Sequence, residues 1–266
     1  RSLGSSLCVG WDVHDATVSV AVAEGGPSGV LRQIGVFANR ADVLTKMVAR
    51  LVRPGLRLSF CYEAGPCGYG LHRLLTGLGH DCVVIAPSLI PFKAGDRVKT
   101  DRRDALMLAK LHRAGELTAV WVPDVAHEAM RDLVRARTTA VRVLGKARQH
   151  LGGFLLRHAK IFAGQGAWTL AYRRWLTTVR FDHPAQQIVL QDYIYAVEDA
   201  EKRSARLVQQ IEQALEAWSL APVLESIQPL RCVACINSVQ LVAELATFAR
   251  PRTPLPPTAR LGLGPA

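Results

Sequence analysis

The sequence has 266 residues, of which 49% are hydrophobic and 21% are charged. This composition excludes a disordered chain, a collagen-like repeat and a disulfide-stapled miniprotein. No apolar run reaches the roughly 18 residues of a membrane span, and the N-terminus lacks the apolar core of a secretion signal, so we expect a soluble protein of the cell interior.

The net charge of +11 is concentrated in the middle of the chain. Residues 93–180 hold 18 Lys/Arg and 7 Asp/Glu, whereas the rest of the chain holds 15 of each. A basic segment between neutral ones is an electrostatic footprint for a polyanion, and for nucleic acid first of all. A solvated helical face with incidental excess charge is the alternative, and charge by itself does not separate the two.

The first 120 residues show the pattern of an α/β domain. Runs of apolar and β-branched residues predict three strands in a meander, over 7–13, 17–23 and 30–37. Further strands are predicted over 56–62 and 82–86, and apolar residues at helical spacing predict helices over 41–52, 69–78 and 101–113. This order of elements predicts a mixed sheet flanked by helices.

Beyond residue 130 the apolar period becomes that of long helices. Two series advance in alternate steps of 4 and 3, at 130, 134, 137, 141, 144, 148, 151 and 155 and at 190, 194, 197, 201, 204, 208, 211, 215 and 218. Glycines at 152–153 and at 164 and 166 predict a break between two helices, which form an antiparallel pair or an oligomerising coiled coil. Ordinary amphipathic helices packed on the first domain are the alternative. A last helix is predicted over 238–248, before a proline-rich stretch that cannot continue it.

Four carboxylates occupy positions where α/β sheets build sites. Asp12 and Glu63 end the first and fourth strands, and Asp101 and Asp104 share one helix face. Converging carboxylates need bound cations, and oxygen ligands select Mg²⁺ or Mn²⁺, two of which about 4 Å apart support phosphodiester chemistry. Without further context, helix capping and ordinary loop positions are the simpler interpretation. The eight histidines show no spacing typical of ligands, so we expect most of them in surface or packing roles.

Three motifs carry these carboxylates: VGWDVHD at 9–15, YEAGPCGY at 62–69 and KTDRRDA at 99–105. Their ordered set resembles the DEDD transposases of insertion-sequence family 110, whose first domain has a RuvC-like, RNase H-type α/β fold. The resemblance covers nearly the whole chain. It implies a catalytic, metal-binding tetrad of Asp12, Glu63, Asp101 and Asp104, with Mg²⁺ or Mn²⁺ as cofactor. It also implies nucleic-acid contacts, which we assign to Lys99, Arg102, Arg103, Arg137 and Arg148.

The same resemblance implies three domains. These are a RuvC-like catalytic domain over 1–122, a basic all-α coiled-coil region over 123–221, and the start of a small helical C-terminal transposase domain over 222–266. Residues 260–265 resemble the stretch shortly before the serine that family members use as recombination nucleophile. Because the chain ends at Ala266, before that serine, we expect metal and nucleic-acid binding without complete strand exchange.

The favoured function is therefore a transposase, a site-specific DNA recombinase of a bacterial insertion sequence, located in the cytoplasm with the nucleoid. The resemblance implies DNA and a structured noncoding RNA guide as partners, and the helical region suggests homo-oligomers; we expect no membrane contact. One alternative is a nucleic-acid-binding remnant without catalysis. Another is a nucleotide enzyme of the actin and sugar-kinase fold, which His14 disfavours because that fold wants glycine there.

Overall fold

The computed structural model describes residues 6–26, 29–91, 100–227 and 235–245. The chain divides into two compact units, residues 1–122 and 123–266. The first unit contains β1 (Ser6–Val13), β2 (Thr17–Glu24), β3 (Leu31–Ala38), α1 (Ala41–Leu51), β4 (Arg57–Glu63), α2 (Gly70–Gly77), β5 (Asp81–Ile85) and α3 (Asp101–Ala114). The second contains α4 (Val125–Arg157), α5 (Leu170–Thr178), α6 (Pro184–Leu215), α7 (Ala221–Ile227) and α8 (Cys235–Leu245).

Within the described residues, the strands of the first unit form one mixed sheet with the order β3-β2-β1-β4-β5. The meander β1-β2-β3 is antiparallel, whereas β4 lies parallel to β1 and β5 parallel to β4. The mixed sheet expected from the element order is therefore confirmed. Because β1 and β4 are adjacent and parallel, their carboxyl ends meet at one edge of the sheet.

The two faces of the sheet pack differently. One face buries large side chains such as Trp11 and Phe60 against α1 and α2, with their rings edge to face at 5.4 Å between centroids. The other face is lined by small residues, including Ala21, which pack against Ala105 and Ala109 of α3. Small side chains on both surfaces let the backbone of α3 approach the sheet closely.

Gly10 marks the closest approach of α3 to β1. A Cβ at this position would lie 2.5 Å from the carbonyl oxygen of Ala105 and would also collide with the backbone nitrogen of Ala109. At the far end of α3, Arg113 donates a hydrogen bond of 2.7 Å to the carbonyl oxygen of Gly29. The helix is thus fixed along its length, with its first turn at the carboxyl end of β1.

The second unit is built on α4 and α6, which pack against each other in antiparallel directions. Phe154, near the end of α4, contacts Tyr193, near the start of α6, with ring centroids 5.6 Å apart. Met130 at the other end of α4 shares a buried cluster with Ile211. One of the two arrangements expected from the heptad series, an antiparallel helical pair, is therefore present within this unit.

The break predicted at 152–153 is wrong, because α4 continues through both glycines to Arg157. A glycine inside a helix costs about 1 kcal/mol relative to alanine. The neighbouring Leu151, Phe154 and Leu155 are all buried, and the burial of each contributes more than that cost. The chain leaves the helix only after residue 157, and the second expected break, at Gly164 and Gly166, falls in the connection that follows.

Two helices of the second unit were not predicted. These are α5, whose first turn is capped by the Thr169 hydroxyl accepting from the Tyr172 backbone N–H, and the short α7. The last described helix runs over Cys235–Leu245, three residues earlier than expected, and the end of the predicted range lies outside the described residues. Among the helices of the described segments, none has the length and apolar character needed to cross a membrane.

Candidate metal centre

Asp12 and Glu63 lie at the ends of neighbouring parallel strands. The register pairs Trp11 with Tyr62, so Asp12 and Glu63 are the next residues on β1 and β4. Trp11 and Tyr62 belong to the core on the α1 and α2 face. Because side chains alternate along a strand, Asp12 and Glu63 project to the opposite face, where α3 packs.

The first turn of α3 brings two more carboxylates to the same place. Thr100 caps the helix, its hydroxyl accepting a 3.4 Å hydrogen bond from the Arg103 backbone N–H. Asp101 and Asp104 both lie in this first turn, where the helix dipole favours negative charge. Because α3 crosses directly over Gly10, this turn lies beside the end of β1.

Asp12, His14 and Asp101 form the centre of the site. The Nε2 atom of His14 lies 3.2 Å from Oδ2 of Asp12 and 3.5 Å from Oδ1 of Asp101. One ligand atom from each of the three residues lies within 4.8 Å of the others. The side chain of Asp12 is only 17% exposed, whereas those of His14 and Asp101 are 51% and 64% exposed. The cluster therefore has one sheltered carboxylate and an open side.

Burial raises the pKa of Asp12 above its usual range. The neighbouring His14 opposes this shift through its charge and its hydrogen bond, while Asp104 and Asp101 add to it through repulsion between carboxylates. The geometry thus concentrates negative charge that a cation would offset. The effect of Asp104 on the pKa of Asp12 places these two carboxylates in the same cluster.

The structure does not bring the four predicted carboxylates together equally. Asp12 and Asp101 converge within ligand distance of one another, and Asp104 interacts electrostatically with Asp12. Glu63 lies at the adjoining strand end, outside the group of described residues whose ligand atoms lie within 4.8 Å of one another.

His14 is a residue of the site that sequence reasoning missed. The motif contains the signal, because Asp12 and His14 are two positions apart at the end of a strand and so face the same side. The spacing between one histidine and the next does not indicate such a pair, because its second member is an aspartate. The partner carboxylate, Asp101, is far away in the sequence and gives no local indication of the contact.

The predicted nucleic-acid contacts differ in their surroundings. Arg102 and Arg103 are exposed on the first turn of α3, beside Asp101. Arg137 is half-buried on α4. Arg148 donates a 2.7 Å hydrogen bond to Glu201 and lies over the Trp168 ring, 4.8 Å from its centroid. Its guanidinium thus helps to hold α4 against α6. Lys99 lies outside the described residues.

The cavity described in the first unit lies away from the carboxylates. A cavity of about 600 Å³ lies at the opposite edge of the sheet, where β1 and β4 begin, and is lined by residues that include Leu7, Arg32 and Leu56. The metal-ligand cluster instead opens to solvent on the side of Asp101.

Comparisons with known proteins agree with the motifs. The family model for DEDD transposases of the IS110 type, described as a transposase family, matches residues 9–159, which include all four carboxylates. A protein of Sinorhizobium fredii (strain NBRC 101917 / NGR234), named "Putative transposase y4qE", is 46% identical over 257 residues, covering 97% of this chain and 63% of that protein. The "Transposase for insertion sequence element IS1533" of Leptospira borgpetersenii is 31% identical over 245 residues, covering 90% of this chain and 70% of that protein.

The chain thus spans 63% and 70% of the lengths of these two relatives. The family match extends over more than half of the chain, and it begins just before Asp12 and ends shortly after α4. With the sheet order, the strand-end carboxylates and the match in agreement, this chain belongs to the DEDD transposase family of IS110 insertion sequences.

Proposed function

We propose that this chain forms the divalent-cation site at which an insertion-sequence transposase cleaves and rejoins DNA strands, with the tetrad Asp12, Glu63, Asp101 and Asp104 as the metal ligands. The observation that carries the proposal is the convergence of Asp12 and Asp101 at the carboxyl edge of the sheet. Both residues come from motifs inside the part of the chain that matches the transposase family. Glu63 ends the neighbouring strand and Asp104 lies one helical turn after Asp101.

The donor set fits a divalent cation. Carboxylate oxygens are the preferred ligands of Mg²⁺ and Mn²⁺, and Asp12 is held on a rigid strand while Asp101 is held on a capped helix. When bound, such a cation would supply the positive charge that the attacking and leaving oxygens need in phosphodiester cleavage. The protein positions its carboxylates by the close contact of α3 with Gly10.

Exposed arginines beside the carboxylates are suited to hold a DNA phosphate. Arg102 and Arg103 are exposed on the same helical turn as Asp101, and they are proposed to contact phosphates of the DNA backbone on either side of the carboxylates. Positive side chains next to the acidic cluster also reduce the repulsion between the tetrad and a polyanionic substrate. Lys99, Arg137 and Arg148 are proposed as further contacts along the basic segment, of which Arg148 must exchange its hydrogen bond to Glu201 for one to a phosphate.

Two further partners follow from the family resemblance. A structured noncoding RNA is proposed as a second polyanion for the basic segment, and a second copy of the chain is proposed to bind through the coiled-coil helices. The described part of α4 and α6 carries exposed apolar side chains suited to contacts between copies, among them Val141, Ile188 and Tyr195. With DNA as substrate, the protein would act in the bacterial cytoplasm, at the nucleoid.

Nicking of a supercoiled plasmid that carries the ends of the element tests the proposed chemistry. The wild-type protein, Asp12→Asn and Asp42→Asn are compared in Mg²⁺, in Mn²⁺ and in EDTA. Asp42 is an exposed carboxylate in the first turn of α1 and serves as the matched control. We expect nicking by the wild type and the control only when a cation is present, and none by Asp12→Asn. Cation-independent nicking, or an active Asp12→Asn, would refute the proposal, whereas binding without nicking would favour the non-catalytic alternative.

The salt dependence of DNA binding tests the proposed phosphate contacts. Each phosphate contact adds about 0.9 to the slope of log affinity against log salt concentration for duplex DNA. We expect Arg102→Gln with Arg103→Gln to reduce that slope by about 2. Arg57→Gln is the control, because Arg57 is also exposed but lies at the start of β4 and pairs with Asp81. Equal slopes for the double variant and the wild type would exclude these two arginines as contacts.

A further inference from the structure

His14 has the surroundings of a ligand and not those of a packing residue. Its ring is 51% exposed, and its Nε2 atom lies between carboxylate oxygens contributed by β1 and by α3. These two carboxylates come from elements that are far apart in the sequence. The nitrogen of His14 therefore occupies a position where two chain segments already bring oxygen donors together.

The backbone of His14 is held in place on both sides. Its N–H donates a 2.8 Å hydrogen bond to the carbonyl oxygen of Thr17, which closes the turn between β1 and β2. Its carbonyl oxygen accepts a 2.8 Å hydrogen bond from the Asn39 side chain. Asn39 also bonds this turn through its backbone N–H, which donates to Ala16. The imidazole thus projects from a fixed turn, as the ligand of a preorganised site does.

We infer that His14 is a third ligand of the cation held by Asp12 and Asp101, and that its nitrogen gives the site a preference for Mn²⁺ over Mg²⁺. This inference rests on the proposed metal site. Mg²⁺ binds oxygen ligands almost exclusively, whereas imidazole nitrogen is a good ligand for transition-metal ions. A site that adds one imidazole to its carboxylates therefore discriminates between two ions that a purely oxygen-lined site would bind more nearly alike.

Calorimetric titration of the metal-free full chain with Mn²⁺ and with Mg²⁺ tests this inference. We expect His14→Gln to weaken Mn²⁺ binding by about tenfold or more and to change Mg²⁺ binding by less than about twofold. We expect His14→Asp, which replaces the nitrogen by an oxygen donor, to bind with the preference shifted toward Mg²⁺. His150→Gln, an exposed histidine on α4, is the matched control and should leave both affinities unchanged.

Electron spin echo spectroscopy of the Mn²⁺-loaded protein provides a direct second measurement. A coordinated imidazole gives nitrogen modulation of the echo, which we expect in the wild type and in His150→Gln and which should disappear in His14→Gln. Thermal unfolding of the metal-free variants establishes that each is folded. This measurement separates a ligand from a residue that only positions Asp12, because a positioning residue contributes no nitrogen coupling.

The possible outcomes distinguish this inference from the proposed function. If Asp12→Asn abolishes binding of both ions while His14→Gln changes neither affinity nor echo modulation, the metal site holds and the role of His14 is refuted. If His14→Gln weakens both ions equally, the claimed preference for Mn²⁺ is refuted. If Asp12→Asn binds both ions as the wild type does, the metal site itself is refuted.

Discussion

The replacement of Gly10 by alanine tests how the contact between α3 and β1 sets the geometry of the site. The added Cβ would lie 2.5 Å from the Ala105 carbonyl oxygen, whereas ordinary van der Waals contacts begin at 3.4 Å. The atoms it meets are backbone atoms, so no side-chain rotation relieves the overlap. The helix must therefore move away from the sheet by about 1 Å.

Two effects of Gly10→Ala follow from this displacement. Overpacking of a close contact costs roughly 1–3 kcal/mol of unfolding free energy, which for a unit of this size lowers Tm by roughly 4–12 °C. The same movement carries Asp101 away from Asp12 by about 1 Å, whereas metal–ligand distances tolerate only about 0.2 Å. We therefore expect Mn²⁺ affinity to fall by at least about tenfold even in protein that remains folded.

Thermal unfolding and calorimetric titration with Mn²⁺ measure the two effects on one sample. Gly77→Ala is the matched control, because Gly77 ends α2 and an added Cβ meets nothing within 4 Å. We expect this control to keep its metal affinity and to gain up to about 1 kcal/mol, since alanine favours the helix. If Gly10→Ala unfolds at the wild-type temperature and binds Mn²⁺ with wild-type affinity, the role assigned to this contact is wrong.

Three further substitutions test separate parts of the chain. Asp12→Asn removes a carboxylate whose pKa is raised by burial, so the metal-free protein should keep or raise its Tm in calorimetry; a clear fall would contradict the repulsion described for the site. Burial lowers the pKa of His112 in the folded protein. As the pH drops below about 6.5, this histidine is therefore protonated in the unfolded protein before it is protonated in the folded one, and the unfolding free energy falls. In urea unfolding, the unfolding free energy of His112→Gln should fall less between pH 7 and 5 than that of the wild type. An equal fall in both would exclude His112 as a cause of the pH dependence. Hydrogen bonds from Arg173 and Arg148 lower the pKa of Glu201, so its stabilisation is present above about pH 4.5 and is lost as the pH falls through the folded-state value. Glu201→Gln should lower the unfolding free energy by about 1–2 kcal/mol at pH 7 and by less at pH 3. Equal losses of unfolding free energy at both pH values would show that the charge of Glu201 is not the cause.

The elements of the first unit were predictable because their signals are local. The five strands and three α-helices described there each lie within one residue of their expected bounds, since strand alternation, turn glycines and helical spacing act over only a few residues. The strand-end positions of Asp12 and Glu63 followed from the same pattern. The approach of α3 to Gly10 did not, because a glycine inside a strand does not indicate which helix will cover it.

The second unit was harder to predict because tertiary packing overrides local preference. The helix α4 continues through two glycines whose neighbours are buried, and a pattern based on propensity places a break there. Val141 was expected on the apolar stripe but is 40% exposed, whereas Ala140 is fully buried. Leu151 and Leu155, later members of the same series, are buried again, so the exposure of Val141 is a local departure from the repeat.

The length of the α4 and α6 pair restricts how this region can change. The two helices have 33 and 32 residues, and each rises about 1.5 Å per residue, so they form a rod about 50 Å long. One residue inserted into either helix would rotate everything beyond it by about 100° and separate pairs such as Arg148 and Glu201. If both helices gain or lose about seven residues, which is about two turns, the apolar face of each helix again contacts that of the other. Among related chains, we therefore expect the two helices to lengthen or shorten together, in steps of about two turns.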